Sequence, residues 1–352
     1  MCYTNLDQQK GKDALNTQMK ILVVHTGGTI SCEDKFGKLS PSKNITPYFK
    51  ELQKDLRSVK FVHKRLTPFL SENLNGTHLN RIAEEIKKGI SSEQPDGVIV
   101  THGSDTIAYT GAFLSYAFGL SIAPVVLVCA DLPLSDSAST GHINIRAAIA
   151  LIQSNTANGV YAVYKDGEHS ATVHRASRLL SYRSYEKELT SCSNAYGKIN
   201  LIKPENPILV KSPLYCEADD AIIIDLPKLK KNSNIHHLTV YPGMKCSSPP
   251  MGCKAVILGT YHSGTIDTSN PQLQRLSRIC KKRGISLFTD GTTNGSTYES
   301  MNTYGKLDIT QLPALSSPCA MYIKLWILSE KSSTDLKKDV FLSCGGDIIP
   351  LK

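Results

Sequence analysis

The stretch Ile21-Leu22-Val23-Val24-His25-Thr26-Gly27-Gly28-Thr29-Ile30-Ser31 decides how the rest of the chain is read. Four consecutive apolar residues, Ile21 to Val24, describe a strand buried on both faces, as in parallel sheets, where polar alternation is lost. Gly27 and Gly28 then let the backbone turn sharply and leave room for a close approach. Thr29 follows at the carboxyl end of the strand, the edge at which open α/β sheets bind ligands. Taken alone, its hydroxyl could equally bond the backbone of the turn.

A second unit of the same design shifts that balance. Residues 96–118, DGVIVTHGSDTIAYTGAFLSYAF, place a buried strand at Val98–Val100, a turn at His102 and Gly103, a loop tip at Ser104 and Asp105, and a helix from about Thr106 to Phe118. Between the two units, a short strand at Lys60–His63 leads through LTPFLSENLNG to a helix over Thr77–Lys88, with Leu79, Ile82 and Ile86 at helical spacing. A third buried strand, Val125–Cys129, is followed by a polar loop and a helix over Ile143–Ile152. Strands alternating with helices imply an α/β fold built on a doubly wound, mainly parallel sheet. Two strands ending in hydroxyl-bearing loops should then meet at one edge. The polar segment Ser31–Asn44, with Gly37 and Pro41, could close over that edge as a lid.

Further along come an apolar strand, GVYAVY at 159–164, and a basic stretch, VHRASRLLSYRSY at 173–185. Alternation then resumes with strands at His237–Tyr241 and Ala255–Leu258, a helix at Leu273–Arg283, a strand at Ile285–Phe288 and a helix at Ala320–Ser329. The expected organisation is a flexible extension over 1–18, a larger N-terminal α/β domain over 19–195, a connector over 196–234 and a smaller C-terminal α/β domain over 235–352. A chain of 352 residues has ample core for this.

Composition narrows the function classes. Hydrophobic residues make up 41%, yet no apolar run reaches the ~18 residues that cross a bilayer, and the start of the chain lacks the apolar core of a secretory signal. A cytoplasmic protein without a membrane partner is the expectation. The net charge of +9 is spread out, in short runs such as Lys228–Lys231 and Lys281–Arg283, without interleaved aromatics, so no nucleic-acid partner is expected. The ten cysteines include no CxxC pair, which suits buried thiols in a reducing compartment and gives no metal site. TGGT is not the GxGxxG spacing of a dinucleotide site, and no Walker lysine follows it.

The candidate residues form a coherent set. A threonine hydroxyl attacks only when a neighbour takes its proton or a cation stabilises its alkoxide. Asp105 could order a charge network or hold a substrate ammonium, and the amides of the glycine turn could bind a developing oxyanion. Against this, Asp105 could be a helix cap, Ser71 and Glu72 a capping arrangement for the next helix, and His102 a packed strand-end residue.

HTGGTIS at 25–31 and VTHGSDTI at 100–107 resemble the two signature motifs of the bacterial-type L-asparaginase family, which includes the glutaminase-asparaginases. The likeness extends to VYPGM at 240–244, GTYHSGTID at 259–267 and GTTNGSTYES at 291–300. It implies that Thr29 is the nucleophile on a side-chain amide, releasing ammonia and leaving an acyl-enzyme that water hydrolyses to aspartate. It implies that Ser104 takes the place of the second catalytic threonine and that Asp105 binds the substrate's α-amino group. By the same resemblance Ser71 and Glu72 hold the α-carboxylate and α-amino group, with Gly28 and Gly103 lining the substrate. Glu299 and Thr265 fall where family members serve a neighbouring subunit's site. No cofactor is implied; the partners are a small-molecule substrate, asparagine or glutamine, and further copies in a homodimer or homotetramer.

Three departures stand out. Serine replaces threonine at 104, keeping the hydroxyl but not the β-branched rotamer control. No lysine occurs between Lys165 and Lys187, where the family has a catalytic one; Arg175, Arg178 or Ser181 takes that place, depending on register. Arginine does not give up its proton, so proton transfer could fail. No tyrosine lies between Ile30 and Pro47 to match the family's lid tyrosine, whose place falls near Phe36–Leu39. A catalytically impaired relative that binds an amino acid is therefore the alternative to an asparaginase. The amidase subunit of a tRNA-dependent amidotransferase also resembles asparaginases, but carries an additional N-terminal domain, for which the residues before Met19 are too few.

Overall fold

The computed structural model describes residues 18–42, 45–119, 123–155, 158–183, 185–203, 205–218, 223, 226–291 and 298–350, so all but the last residue of the expected N-terminal extension lies outside the described residues. Strand β1 (Met19–Gly27) lies second from one edge of the main sheet. Ile21, Leu22, Val23 and Val24 are fully buried, as four apolar residues without alternation require. The stretch read as a lid is an antiparallel hairpin, β2 (Cys32–Lys35) and β3 (Lys38–Pro41). It turns at Phe36 and Gly37, both at positive φ, the turn whose twist suits a hairpin.

Helix α1 (Thr46–Asp55) inserts Phe49 and Leu52 beneath the sheet. Strand β4 (Val59–Phe69) runs well past the short strand expected at Lys60–His63, because it pairs in parallel with β1 from Met19↔Val59 to Gly27↔Phe69. Then follow α2 (Gly76–Glu93), β5 (Gly97–Thr101), α3 (Ile107–Phe118), β6 (Val125–Val128), α4 (Gly141–Gln153) and β7 (Val160–Gly167). Strands β8 (Ser170–Arg175), β9 (Gly197–Asn200) and β10 (Ile208–Lys211) extend the sheet with antiparallel pairing. The last two lie within the stretch read as a connector; the buried Gly197 and Ile199 alternate there with exposed Lys198 and Asn200, the period of an edge-side strand.

The strand order is β10-β9-β8-β7-β6-β5-β1-β4, parallel from β4 to β7. Leu22, Val24, Val98, Val100 and Leu127 face one layer with Leu79, Ile82, Ile86 and Phe113. Ile21, Val23, Ile99, Val126 and Val128 face the other with Phe49, Ile145 and Ile149. From β1 the chain goes to β4 on one side and then crosses to β5 on the other, so the strand order reverses at β1. Such a reversal opens a crevice at the carboxyl edge.

A second, all-parallel sheet follows: β11 (Ile235–Leu238), β12 (Ala255–Leu258), β13 (Ser286–Thr289) and β14 (Ile309–Gln311), with α5 (Pro271–Arg283) between β12 and β13 and α6 (Pro318–Ser329) after β14. The α/β class, with one large mainly parallel sheet and a smaller one, is as the alternation predicts. Among the described residues no helix is long and apolar enough to cross a membrane, and all nine cysteines are free.

Candidate active site

Each of three neighbouring strands ends in a single 3₁₀ turn: Thr29–Ser31 after β1, Ser71–Asn73 after β4 and Ser104–Thr106 after β5. Their adjacency follows from the strand order β5-β1-β4. Gly27 and Gly28 adopt φ of 124° and 80°, a region that residues with a side chain rarely adopt. Contact explains why nothing larger fits. A Cβ on Gly28 would lie 2.4 Å from the Gly103 nitrogen, and one on Gly27 would lie 2.4 Å from the Phe69 carbonyl oxygen. A Cβ on Gly103 would meet Ser71 Cβ and Oγ at 2.5 Å. The backbones carrying Thr29, Ser71 and Ser104 are therefore packed against one another, far apart though these residues are in sequence.

Polar bonds tie the three turns together. Ser71 Oγ donates to Asp105 Oδ2 at 2.5 Å, Thr106 Oγ1 donates to the Ser71 carbonyl at 2.9 Å, and Thr26 Oγ1 donates to the Thr101 carbonyl at 2.7 Å. Asp105 makes no cap: the residues capping its turn and α3, Gly103 and Thr106, receive no side-chain bond, and its carboxylate turns to Ser71. Nor do Ser71 and Glu72 cap α2, whose first amides bond to Asn75 Oδ1 instead. Ser71 is buried, Asp105 and Glu72 are exposed, and Thr29 and Ser104 are half-buried. A carboxylate at the surface beside a buried serine and two accessible hydroxyls can hold a small polar ligand and present it to a nucleophile.

The histidines here serve as scaffolding. His102 is completely buried, bonded through Nδ1 to the Gly103 carbonyl and through Nε2 to Thr110 Oγ1, as a packed strand-end residue should be. Burial pushes its pKa down to about 4. His25 stacks on His63, with Nε2 2.9 Å from His63 Nδ1, and burial followed by the His63 charge holds it down to about 3. Both are neutral near pH 7.

The structure does not bring Arg175 or Arg178 to these turns. Strand β8 lies four strands from β1, about 19 Å away at ~4.8 Å per strand. Along the strands, His25, Thr101, Val128, Val163 and Val173 stand level. Arg175 is two residues beyond Val173, toward the opposite edge, where its guanidinium lies 5.1 Å over the Tyr161 ring. Arg178 is buried, donating Nε to the Gly346 carbonyl and Nη1 to the Cys216 carbonyl, each at 2.8 Å, with Tyr215 beneath it. Ser181 lies on a segment facing a cavity of about 770 Å³ that Thr106 also lines. The Thr106 hydroxyl, which joins two of the turns, is not apparent from sequence; its position one residue after Asp105 carries no separate signal. Glu299 is exposed, and Thr265 pairs with Ser263; both belong to the second-sheet half of the chain.

Comparisons with known proteins agree with the fold. Residues 20–203 match the family model described as "Asparaginase, N-terminal". Among curated proteins, the chain is similar to a glutamyl-tRNA(Gln) amidotransferase subunit of Sulfolobus acidocaldarius, 25% identical over 344 residues covering 93% of this chain and 75% of that one. The same-named protein of Methanopyrus kandleri is 36% identical over 137 residues, 37% of this chain and 29% of that one. Among solved structures, L-asparaginase I from Vibrio cholerae superposes with a TM-score of 0.75 at 19% identity, covering 95% of this chain and all of that one. The thermostable L-asparaginase from Thermococcus kodakarensis gives 0.72, also at 19% identity, with the same coverage. At these identities the two structures speak for the fold alone.

Proposed function

Because this chain belongs to the asparaginase family, we propose that it is an amidohydrolase that cleaves L-asparagine to L-aspartate and ammonia, with Thr29 as nucleophile. The observation that carries this reading is the packing of Gly28 on Gly103 and of Gly103 on Ser71, which supports one binding place shared by the three turns. In it, Thr29 Oγ1 attacks the amide carbon and ammonia leaves. Backbone amides of the Gly28 turn receive the developing oxyanion, and Ser104 stands opposite as the second hydroxyl. Asp105, oriented by Ser71, holds the substrate ammonium, with Glu72 beside it. Water then frees aspartate. A one-methylene difference separates asparagine from glutamine, and asparagine is the proposed substrate. A cytoplasmic homo-oligomer is the proposed setting.

The placement of Arg175 and Arg178 favours a second reading, a relative that binds an amino acid without turning it over, since neither guanidinium stands near Thr29. The name of the curated relatives supports a further variant: the chain acts as one component of an amidotransferase, with a protein partner. Ammonia release from asparagine and glutamine by parent and Thr29→Ala, with calorimetry of aspartate binding, separates these. Release by the parent and none by Thr29→Ala supports the hydrolase. Aspartate binding with no ammonia from either amide selects the binder. Equal release by parent and variant removes Thr29 from the chemistry.

A further inference from the structure

A cavity of about 770 Å³ does not include Thr29, Ser71, Ser104 or Asp105. It opens at the carboxyl edge of the second parallel sheet, where Thr239, Gly259 and Asp290 follow β11, β12 and β13. This is the edge at which parallel sheets take ligands, and the volume falls in the range of small-molecule sites. Helix α6 and the first turn of α3 close the other side.

The chemistry of the wall is specific. The Asp290 carboxylate accepts one bond from the Thr260 backbone, while Oδ1 is buried with no hydrogen-bond partner among the described residues. A buried acceptor left unpaired is unfavourable, so the carboxylate at this wall is under-satisfied. Burial raises the Asp290 pKa to about 6, which still leaves it an anion near pH 7. Three rings line the same cavity: Tyr109 lies 5.9 Å from Tyr322 and Tyr322 lies 6.1 Å from Trp326, both edge-on. Trp326 is 5% exposed, and its Nε1 also has no partner among the described residues. Nearby charges do not neutralise Asp290. Burial lowers the pKa of His237, which is neutral near pH 7. The Arg183 guanidinium donates to the Tyr185 hydroxyl, and the Arg183 amide donates to Glu186 Oε2.

We propose that this cavity binds an organic primary amine, its ammonium on the Asp290 carboxylate and its apolar body among Tyr109, Tyr322 and Trp326. An ammonium supplies the counter-charge that the carboxylate lacks and gains from the ring faces. A neutral isostere leaves the carboxylate poorly paired, and an anion is repelled by it.

The chain's single tryptophan is Trp326, so its emission reports events at this wall. Near pH 7 the folded full-length protein is titrated with cyclohexylmethylamine, cyclohexylmethanol and cyclohexanecarboxylate. The amine should change the emission saturably, the alcohol should bind at least about tenfold more weakly, and the carboxylate should give no saturable change. Asp290→Asn should weaken the amine about tenfold or more, with near-UV circular dichroism showing the fold intact. Should that variant fold poorly, Tyr322→Leu, which keeps the carboxylate and removes the middle ring, should still weaken the amine severalfold. The proposal is overturned if amine and carboxylate bind alike, if a folded Asp290→Asn binds the amine like the parent, or if the amine gives no saturable change.

Discussion

Replacing Gly28 by alanine tests whether close backbone packing builds the site, and Gly37→Ala is its internal control. Both glycines have positive φ, 80° and 77°, so each substitution carries a backbone strain of about 1–2 kcal/mol; Gly28 also has ψ of 170°, outside the left-handed helical region. The difference lies in what the new methyl meets. At Gly37, on the hairpin tip, nothing lies within 4 Å; at Gly28 the methyl falls 2.4 Å from the Gly103 nitrogen and 2.5 Å from its Cα. Those atoms belong to backbone held on its far side by Ser71, so relief requires the turns to separate by about 1 Å, an overpacking cost of about 1–3 kcal/mol more. For a chain of this length unfolding as one unit, ~1 kcal/mol shifts Tm by about 1.4 °C. Gly28→Ala should therefore lower Tm by about 3–7 °C and Gly37→Ala by about 1–3 °C. A displacement of ~1 Å between nucleophile and binding groups costs on the order of 10²-fold in rate, so ammonia release should fall at least that far in Gly28→Ala alone. Calorimetric melts and a coupled ammonia assay on matched preparations give both numbers. Equal losses of stability in the two variants would refute the packing argument whatever the activity, and an active Gly28→Ala would refute the site geometry.

Other consequences are checked more briefly. Ser71→Ala removes the donor that orients Asp105, and should raise KM for asparagine about tenfold while changing kcat little, as steady-state kinetics would report. Arg178→Met removes charge-assisted bonds to the Gly346 and Cys216 carbonyls; it should destabilise the fold by about 3 kcal/mol in denaturant titrations, with ammonia release per folded molecule unchanged. On acidification, His25, His102 and His174, whose pKa values burial lowers to about 3, 4 and 4, stay neutral in the native state. The unfolded chain takes up their protons from about pH 6.5 downward, so stability falls as pH drops through that window. Asp290, raised to about 6, acts with the opposite sign between its unfolded value near 4 and 6, but as one group against three. Melting temperature should thus decline steadily from pH 7 to pH 4, and Asp290→Asn should steepen the decline; a flat profile would contradict the assigned burial of the imidazoles.

Much of this arrangement is legible in the sequence because it is local. The apolar runs of β1, β5 and β6 name their own burial, and the glycine-hydroxyl loops after β1 and β5 mark the sheet edge. What the sequence hides is set by partners elsewhere in the chain. The length of β4 comes from pairing with β1, since its own burial pattern is broken after Phe61 by half-buried and exposed residues. Strand β11 begins at Ile235, two residues before the apolar signal at His237 suggests, because Ile235 pairs with Ala255. The polar segment after Ser31 becomes a hairpin through a turn at Phe36, a residue whose type gives no hint of positive φ. Asp105 looks like a cap in sequence, and only the arrival of Ser71 from another strand gives its carboxylate a different partner.

The basic stretch at 173–185 makes the same point for function. Read along the chain, an arginine where a catalytic lysine is sought looks like a chemical substitution. In three dimensions Ser177 Oγ donates to the Gly345 carbonyl and Arg178 Nε to that of Gly346. One residue later Asp347 is fully buried, bonded to Lys324 Nζ and Tyr116 OH at 2.9 Å each and to the Cys344 amide at 3.0 Å. Residues 344–347 are thus clamped between α3, α6 and the turn after β8, and Arg178 belongs to the clamp. A guanidinium suits this place because it is permanently charged and planar, able to donate to two carbonyls while stacking on Tyr215. A lysine there would be a single ammonium unable to reach both carbonyls in one plane. Selection at Arg178 can then act on anchoring the 344–347 segment, independently of any proton transfer at Thr29. In the proposed hydrolysis neither Arg175 nor Arg178 is placed to take the Thr29 proton.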